Sequence, residues 1–243
     1  MTETLPQADL DCTFIMATRS SQLVNIPIFV CMRAAFPEIP WRIEICDERQ
    51  RRMVQRCIDS GSLQFGVCTS TAISAGEPFS DFGTVVTIKN QIVKEDGRLV
   101  IDALGCRRFW IVDRCMQDFY YTANVAFISD EIVKREKSTE KLKSLSRRVY
   151  EVIYEWYTSL DFPAKEKVKW IAGDMPSYDV NSDPNIHPHG PAWVWWAFAA
   201  RQTEVEPSVV VGCPYLEERL LMLIQESESE EDESQDLDAM AYI

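Results

Sequence analysis

Short runs of alternating apolar and polar residues, separated by turn-forming clusters, fill the chain between positions 24 and 130. Such runs predict strands with one face buried. They cover Asn25–Val30, Trp41–Ile45, Gln64–Cys68, Val85–Val93, Leu99–Val112 and Tyr120–Ile128. Asp96-Gly97 divides the fourth run from the fifth and predicts a tight type I′ hairpin, whose two central residues both take φ > 0. Gly105 interrupts the long fifth run, as a bulge or sharp bend would require. One segment has helical spacing instead: Met53, Val54, Cys57 and Ile58 follow Asp47, a good N-cap with Gln50 three residues on, and Gly61 stands at C′. The Ser-, Thr-, Ala-, Gly- and Pro-rich stretch Ser70–Asp81 predicts a loop before the hairpin.

The period changes after Asp130. Leu142, Leu145, Val149, Val152, Trp156 and Leu160 recur at steps of three and four, an amphipathic helix of about five turns. Lys165–Ala172 restarts it after Pro163, and Asp174–Pro188 predicts a long loop. Pro191 and Pro214 suit the first positions of two further helices, where a missing N–H costs nothing. Leu216, Leu220, Leu223 and Ile224 form the buried stripe of the last. The predicted class is α+β: a small barrel-like sheet with one helix over 24–130, then a helical part over 131–225 that packs on it. Residues 1–23 form an N-terminal extension, and 226–243 an acidic, disordered tail.

With 243 residues, 46% of them hydrophobic, the chain can bury a sizeable core. Glu226–Asp238 holds 8 acidic residues and no basic one; taking these from the net charge of −13 leaves −5. No basic stripe answers a nucleic-acid backbone. No run of about 18 apolar residues predicts a membrane span, and Met1–Leu5 lacks the basic start of a secretory signal. None of the 8 cysteines stands in a C-x-x-C pair, the spacing that delivers two thiolates to zinc. They are expected to be reduced, mostly buried thiols in the cytoplasm or nucleus, without disulfide, metal or cofactor.

Several motifs, in order, carry a resemblance. Asn25-Ile26-Pro27-Ile28-Phe29 opens the first strand, and Phe36-Pro37-Glu38-Ile39-Pro40 makes a Pro-rich turn before the second. Cys46-Asp47-Glu48-Arg49-Gln50-Arg51-Arg52-Met53 opens the helix, Gly105-Cys106-Arg107-Arg108-Phe109 follows the hairpin, and Tyr121-Thr122-Ala123-Asn124-Val125 comes next. Together these resemble the N-terminal substrate-recognition (LON) domain of Lon proteases. Asn185–Trp196 is similar to the C-terminal part of LON-domain-and-RING-finger proteins, although Met1–Leu23 carries no RING remnant. The resemblance covers Asn25–Gln225. It implies a PUA-like pseudo-barrel and a domain that recognises polypeptide substrates or partners and hands them to other machinery, such as a ubiquitin ligase whose RING lies on another chain. Glu48 replaces a family proline, Cys46 a phenylalanine, Cys106 a glycine and Trp110 an arginine.

Catalytic spacings are absent: no phosphate loop, no Gly-x-Ser-x-Gly elbow, no His-Glu-x-x-His. A non-catalytic binding module is the expectation, with Phe79, Phe82, Phe119 and Tyr120 as candidate partner-binding aromatics. Trp193, Trp195 and Trp196 predict a helix buried nearly all round, with an aromatic binding face as the alternative. His187 and His189 are expected to be exposed loop residues rather than a metal pair. Ser227 and Ser229, each with an acid three residues on, are candidate phosphorylation sites. A different function, a small-molecule-responsive regulator or an unrecognised enzyme, would use an anion pocket near Cys106, Arg107 and Arg108, although alternation aims the two arginines at opposite faces.

Overall fold

The alternating half of the chain folds into β1 (Val24–Cys31), β2 (Pro40–Ile45), α1 (Glu48–Asp59), β3 (Gln64–Ser70), β4 (Phe79–Val93), β5 (Leu99–Gln117) and β6 (Tyr120–Ile128). The computed structural model describes residues 23–225 apart from 72–75, 135, 180–182, 184–185 and 202; residues 1–22 of the N-terminal extension, the acidic tail and the serines 227 and 229 lie outside the described residues. The sheet order is β2-β5-β4-β3-β1-β6, and β6 pairs again with β5, so five strands close a ring. Closure depends on β5, whose 19 residues pair first with β2 (Ile45↔Leu99 to Pro40↔Leu104) and then with β6 (Arg108↔Ile128 to Gln117↔Tyr120). β1 and β3 run parallel; the other pairs are antiparallel.

The β4–β5 register shifts between Val86↔Gly105 and Thr84↔Arg108, an irregularity beside Gly105 as its sequence predicts. A Cβ there would lie 1.9 Å from the Phe36 carbonyl oxygen. The close approach lets Glu38 N–H donate to Gly105 O (2.9 Å) and Gly105 N–H to Ile39 O (3.1 Å), pinning the β1–β2 connection against the sheet.

The β4–β5 hairpin departs from expectation. Gly97 has φ 80°, but Asp96 is not left-handed. Lys94 N–H donates to Arg98 O (2.8 Å) and Gly97 N–H to Lys94 O (2.9 Å), a three-residue loop with a glycine bulge rather than a two-residue type I′ turn. The Asp96 carboxylate accepts from Arg98 N–H (3.1 Å), an Asx interaction that suits a right-handed Asp96. A two-residue turn with both residues left-handed occurs instead at Asp118 and Phe119 (φ 47° and 71°), where no glycine signals it. Nor is Ser70–Asp81 all loop. Phe79 pairs with Ser70, and Thr69 N–H donates to Ser80 Oγ (3.2 Å), so β4 already begins at Phe79.

At the start of α1, Asp47 Oδ1 accepts from Arg49 N–H (2.8 Å) and Gln50 N–H (3.1 Å). The Gln50 amide does not complete the capping box but donates to Val30 O (2.7 Å), tying helix to barrel. Met53, Val54 and Cys57 pack with Phe29, Trp41 and Phe65 on one side of the sheet. A second cluster gathers Ile28, Val85, Phe109 and Val125, with the Phe109 ring seated where side chains on Gly66 and Gly83 would collide with it.

The helical half comprises α2 (Glu136–Ser159), α3 (Phe162–Ala172), α4 (Ala192–Arg201), α5 (Pro207–Gly212) and α6 (216–225). Asp161 caps α3 by accepting from Ala164 N–H (2.9 Å). Pro191 and Pro214 lie just outside their helices rather than at the first position; the Pro214 carbonyl accepts from Glu131 N–H (2.9 Å), which joins the start of α6 to the end of β6. Trp193, Trp195 and Trp196 are at most 3% exposed, so α4 is enclosed as its composition predicts. Trp196 Nε1 donates to Gly173 O (3.0 Å), and its ring stands edge-on to Tyr157 at 5.2 Å.

Candidate functional site

A cleft of about 300 Å³ opens where the β1–β2 connection meets α3, α4 and α5. The approach of that connection to Gly105 fixes one wall, which carries Phe36 and Ile39 and continues into Pro40 and Trp41. Ile171 closes the cleft from α3, Phe198 and Ala199 from α4, and Val210 from α5. The Phe36 ring lies against Trp195 (centroids 6.0 Å) and Phe198 (6.4 Å), so the wall is anchored in the helical core. Met32, 84% exposed, stands at the rim.

Two donors interrupt this apolar lining. The Arg33 guanidinium lies over the Trp41 ring at 5.7 Å and donates to Arg42 O, and no carboxylate among the described residues pairs with it. The Trp41 indole N–H is buried without an acceptor. Unmet buried donors are uncommon in folded proteins.

Behind the cleft, a buried ionic cluster joins the two halves. Arg108 on β5 and Arg219 on α6 are both fully buried and share the carboxylate of Asp130, which follows β6. Arg219 Nη1 lies 2.7 Å from Asp130 Oδ1, and Arg108 Nη2 donates to the same oxygen. Arg108 also donates to Cys213 O (2.7 Å) and Val211 O (3.1 Å), and Arg219 to Cys213 O (2.8 Å) and His189 O (3.2 Å). Both guanidiniums face the Trp195 ring, at 5.2 and 4.5 Å. Burial, with Arg219 nearby, lowers the Arg108 pKa to about 10. Burial, with Arg108 beside it, lowers that of His189 to about 4, so this imidazole is neutral at physiological pH.

The sequence candidates do not converge. Phe79, expected on a polar loop, is fully buried and meets Tyr121 edge-on at 5.1 Å, so it cannot present its ring to a partner. Phe82 is half-buried, its ring against Gly212 of α5. Tyr120 is 8% exposed, with its hydroxyl bonded to Arg56 (3.2 Å). Only Phe119, 73% exposed at the tip of the β5–β6 hairpin, is open to solvent among the four. His189 is buried, contrary to expectation, because the Arg108–Asp130 cluster closes over it; His187 is exposed. Arg107 points outward over Phe127 (3.6 Å) while Arg108 is consumed by Asp130, so the pair forms no common anion pocket. Cys106 Sγ contacts Thr87 Oγ1 at 3.1 Å instead. Among the described residues the seven cysteines are free, no group of three metal-ligating side chains assembles, and no helix is long and apolar enough to cross a membrane.

The cleft and Asp130 escaped the sequence reading. Two signals were present: apolar Met32, Ala34, Ala35 and Phe36 between two strands, and Arg219 within the stripe Leu216, Leu220, Leu223.

The family model described as the ATP-dependent protease La (LON) substrate-binding domain matches residues 25–238. Among solved structures, the N-terminal domain of Mycobacterium avium complex Lon protease is 15% identical, with a TM-score of 0.56 over 84% of this chain and 98% of that one. The Lon N-terminal domain protein from Xanthomonas campestris is 21% identical, with a TM-score of 0.42 over 68% of this chain and 93% of that one. The Mycobacterium avium domain shares the fold derived above, a mixed six-stranded sheet forming a pseudo-barrel with one helix, followed by a helical part. With the family model spanning most of its length, the chain belongs to the family of LON substrate-binding domains.

Proposed function

We propose that this domain recognises protein substrates by taking extended or unfolded segments into the cleft between barrel and helices. The observation that carries the reading is an open apolar cleft whose wall holds an unmet donor, Trp41 Nε1–H, and beside it the Arg33 guanidinium, which has no carboxylate partner among the described residues. Apolar lining takes up side chains, and a few fixed polar groups orient what enters. Donors suit the carbonyls of an extended backbone, which a folded protein keeps paired. The domain acts without catalysis, as an adaptor in a reducing compartment. The likeness of Asn185–Trp196 to LON-domain-and-RING-finger proteins supports a ubiquitin ligase, with its RING on another chain, as the receiver of the bound segment.

Site-specific photocrosslinking tests this. Benzoylphenylalanine replaces Met32, Phe119 or Val112 in turn, and each variant is irradiated with reduced, carboxymethylated lysozyme as the unfolded probe. Capture from position 32 and not from 112 is expected. Capture from 119 alone moves the site to the hairpin tip, and equal capture from all three refutes a defined site.

A further inference from the structure

We propose that the apolar segment Met240–Ile243 of this same chain occupies the cleft in cis as a competing pseudosubstrate, with residues 226–238 as its acidic tether. This rests on the cleft being the substrate site. Three observations support it.

The first is where the described chain leaves the domain. Arg201 Nη1 donates to Leu223 O (3.2 Å), which holds the final turn of α6 against the last residue of α4. Ala199 and Thr203, on either side of that residue, line the cleft. The 13 residues 226–238 then span up to about 45 Å when extended, at roughly 3.3–3.6 Å per residue. The ten-residue α4 is only about 15 Å long. Reach is therefore ample.

The second is charge. Arg33 on the cleft wall has no carboxylate partner among the described residues, while the tether carries 8 acids and no base. The third is chemistry. After Asp238 the chain turns apolar as Ala239-Met240-Ala241-Tyr242-Ile243, side chains that suit a cleft walled by Phe36, Ile171 and Phe198.

A tethered segment competes at an effective concentration of about 1 mM. If its own affinity is near 100 μM, it weakens the apparent affinity of a client about tenfold.

The test compares the full chain with its Tyr242→Asp/Ile243→Asp and Arg33→Glu variants. Fluorescence anisotropy reads binding of labelled, reduced and carboxymethylated lysozyme and of a labelled synthetic peptide of residues 234–243. The proposal expects the tail variant to bind the lysozyme at least fivefold more tightly than the full chain. It also expects the 234–243 peptide to bind that variant, to be displaced by lysozyme, and to bind less when Arg33→Glu is added. Unchanged lysozyme affinity in the tail variant, with binding still lost when Met32→Glu and Ile171→Glu block the cleft, overturns the inference and leaves the cleft as substrate site. Lysozyme binding that is indifferent to the cleft substitutions overturns both. Tail inhibition that grows with protein concentration, alongside dimers in sedimentation, places the segment in a second copy and overturns the cis arrangement.

Discussion

Asp130→Asn isolates the charge cluster that joins barrel to helices. In the wild type one carboxylate, 10% exposed, neutralises two guanidiniums that are both fully buried. The amide keeps the shape but removes the charge, and its NH₂ group turns a donor toward guanidinium donors. Breaking a buried ion pair costs about 3–5 kcal/mol, because the surviving charge stays in a low-dielectric site. Two arginines lose their counter-charge at once, although backbone carbonyls of Cys213, Val211 and His189 still hold them. The upper half of that range is expected, about 4–5 kcal/mol. At roughly 2–4 °C per kcal/mol for a domain of this size, the melting temperature falls by about 8–20 °C. Asp102→Asn is the control. Its pair with Arg42 is open to solvent (49% and 34% side-chain exposure) and is worth less than about 1 kcal/mol. Urea unfolding of both variants measures the difference. Equal losses would show that the Asp130 cluster does not hold the halves together. Arg219→Met added to Asp130→Asn should recover part of the loss, since it removes one uncompensated charge.

His189 makes stability depend on pH. Its pKa falls from 6.5 to about 4 on folding, so the unfolded chain binds more protons between those values and stability declines as pH drops from 6.5 to 4. His189→Gln should flatten denaturant midpoints across that window; an unchanged slope would assign it to other groups. Trp196→Ala should cost about 3–5 kcal/mol in chemical unfolding, the range for truncating a buried large aromatic. A loss below about 1 kcal/mol would place α4 outside the core. Gly105→Ala drives a Cβ into the Phe36 carbonyl, a backbone atom that moves only with the cleft wall. It should cost about 3 kcal/mol and weaken client binding, whereas Gly61→Ala, with open space around it and φ 73°, should cost only about 1–2 kcal/mol and leave binding alone.

The elements that periodicity and capping marked are those whose determinants are local. Asp47 and Gly61 bracket α1, Gly105 marks the register shift in β5, and the dense apolar run of α4 announces an enclosed helix. Composition misleads at 70–81, where the Ser80 hydroxyl bonds to Thr69 N–H and Phe82 O within the sheet, so that the polar run conceals a strand beginning at buried Phe79. The Asp118–Phe119 turn is set by the barrel register and the Arg56–Asp118 pair, which local sequence does not encode. The cleft is less legible still. Its lining comes from five separated stretches, Met32–Trp41, Ile171, Phe198–Ala199, Thr203 and Pro207–Val210, and only tertiary packing brings them together. Alternation sets Arg108 on the strand face opposite Arg107, but its partner Asp130 lies 22 residues away and Asp130 in turn lies 89 residues from Arg219, beyond any periodicity.

The affinity of an unfolded protein for cleft and hairpin variants bears most directly on substrate recognition. Reduced, carboxymethylated lysozyme is titrated against the wild type, Met32→Glu/Ile171→Glu and Phe119→Ser, with melting temperatures recorded for each. Recognition in the cleft predicts at least a tenfold loss for Met32→Glu/Ile171→Glu, with a melting temperature within a few degrees of wild type, and no loss for Phe119→Ser. Retained binding by the cleft variant, together with lost binding in Phe119→Ser, would contradict it and move recognition to the exposed aromatic at the hairpin tip.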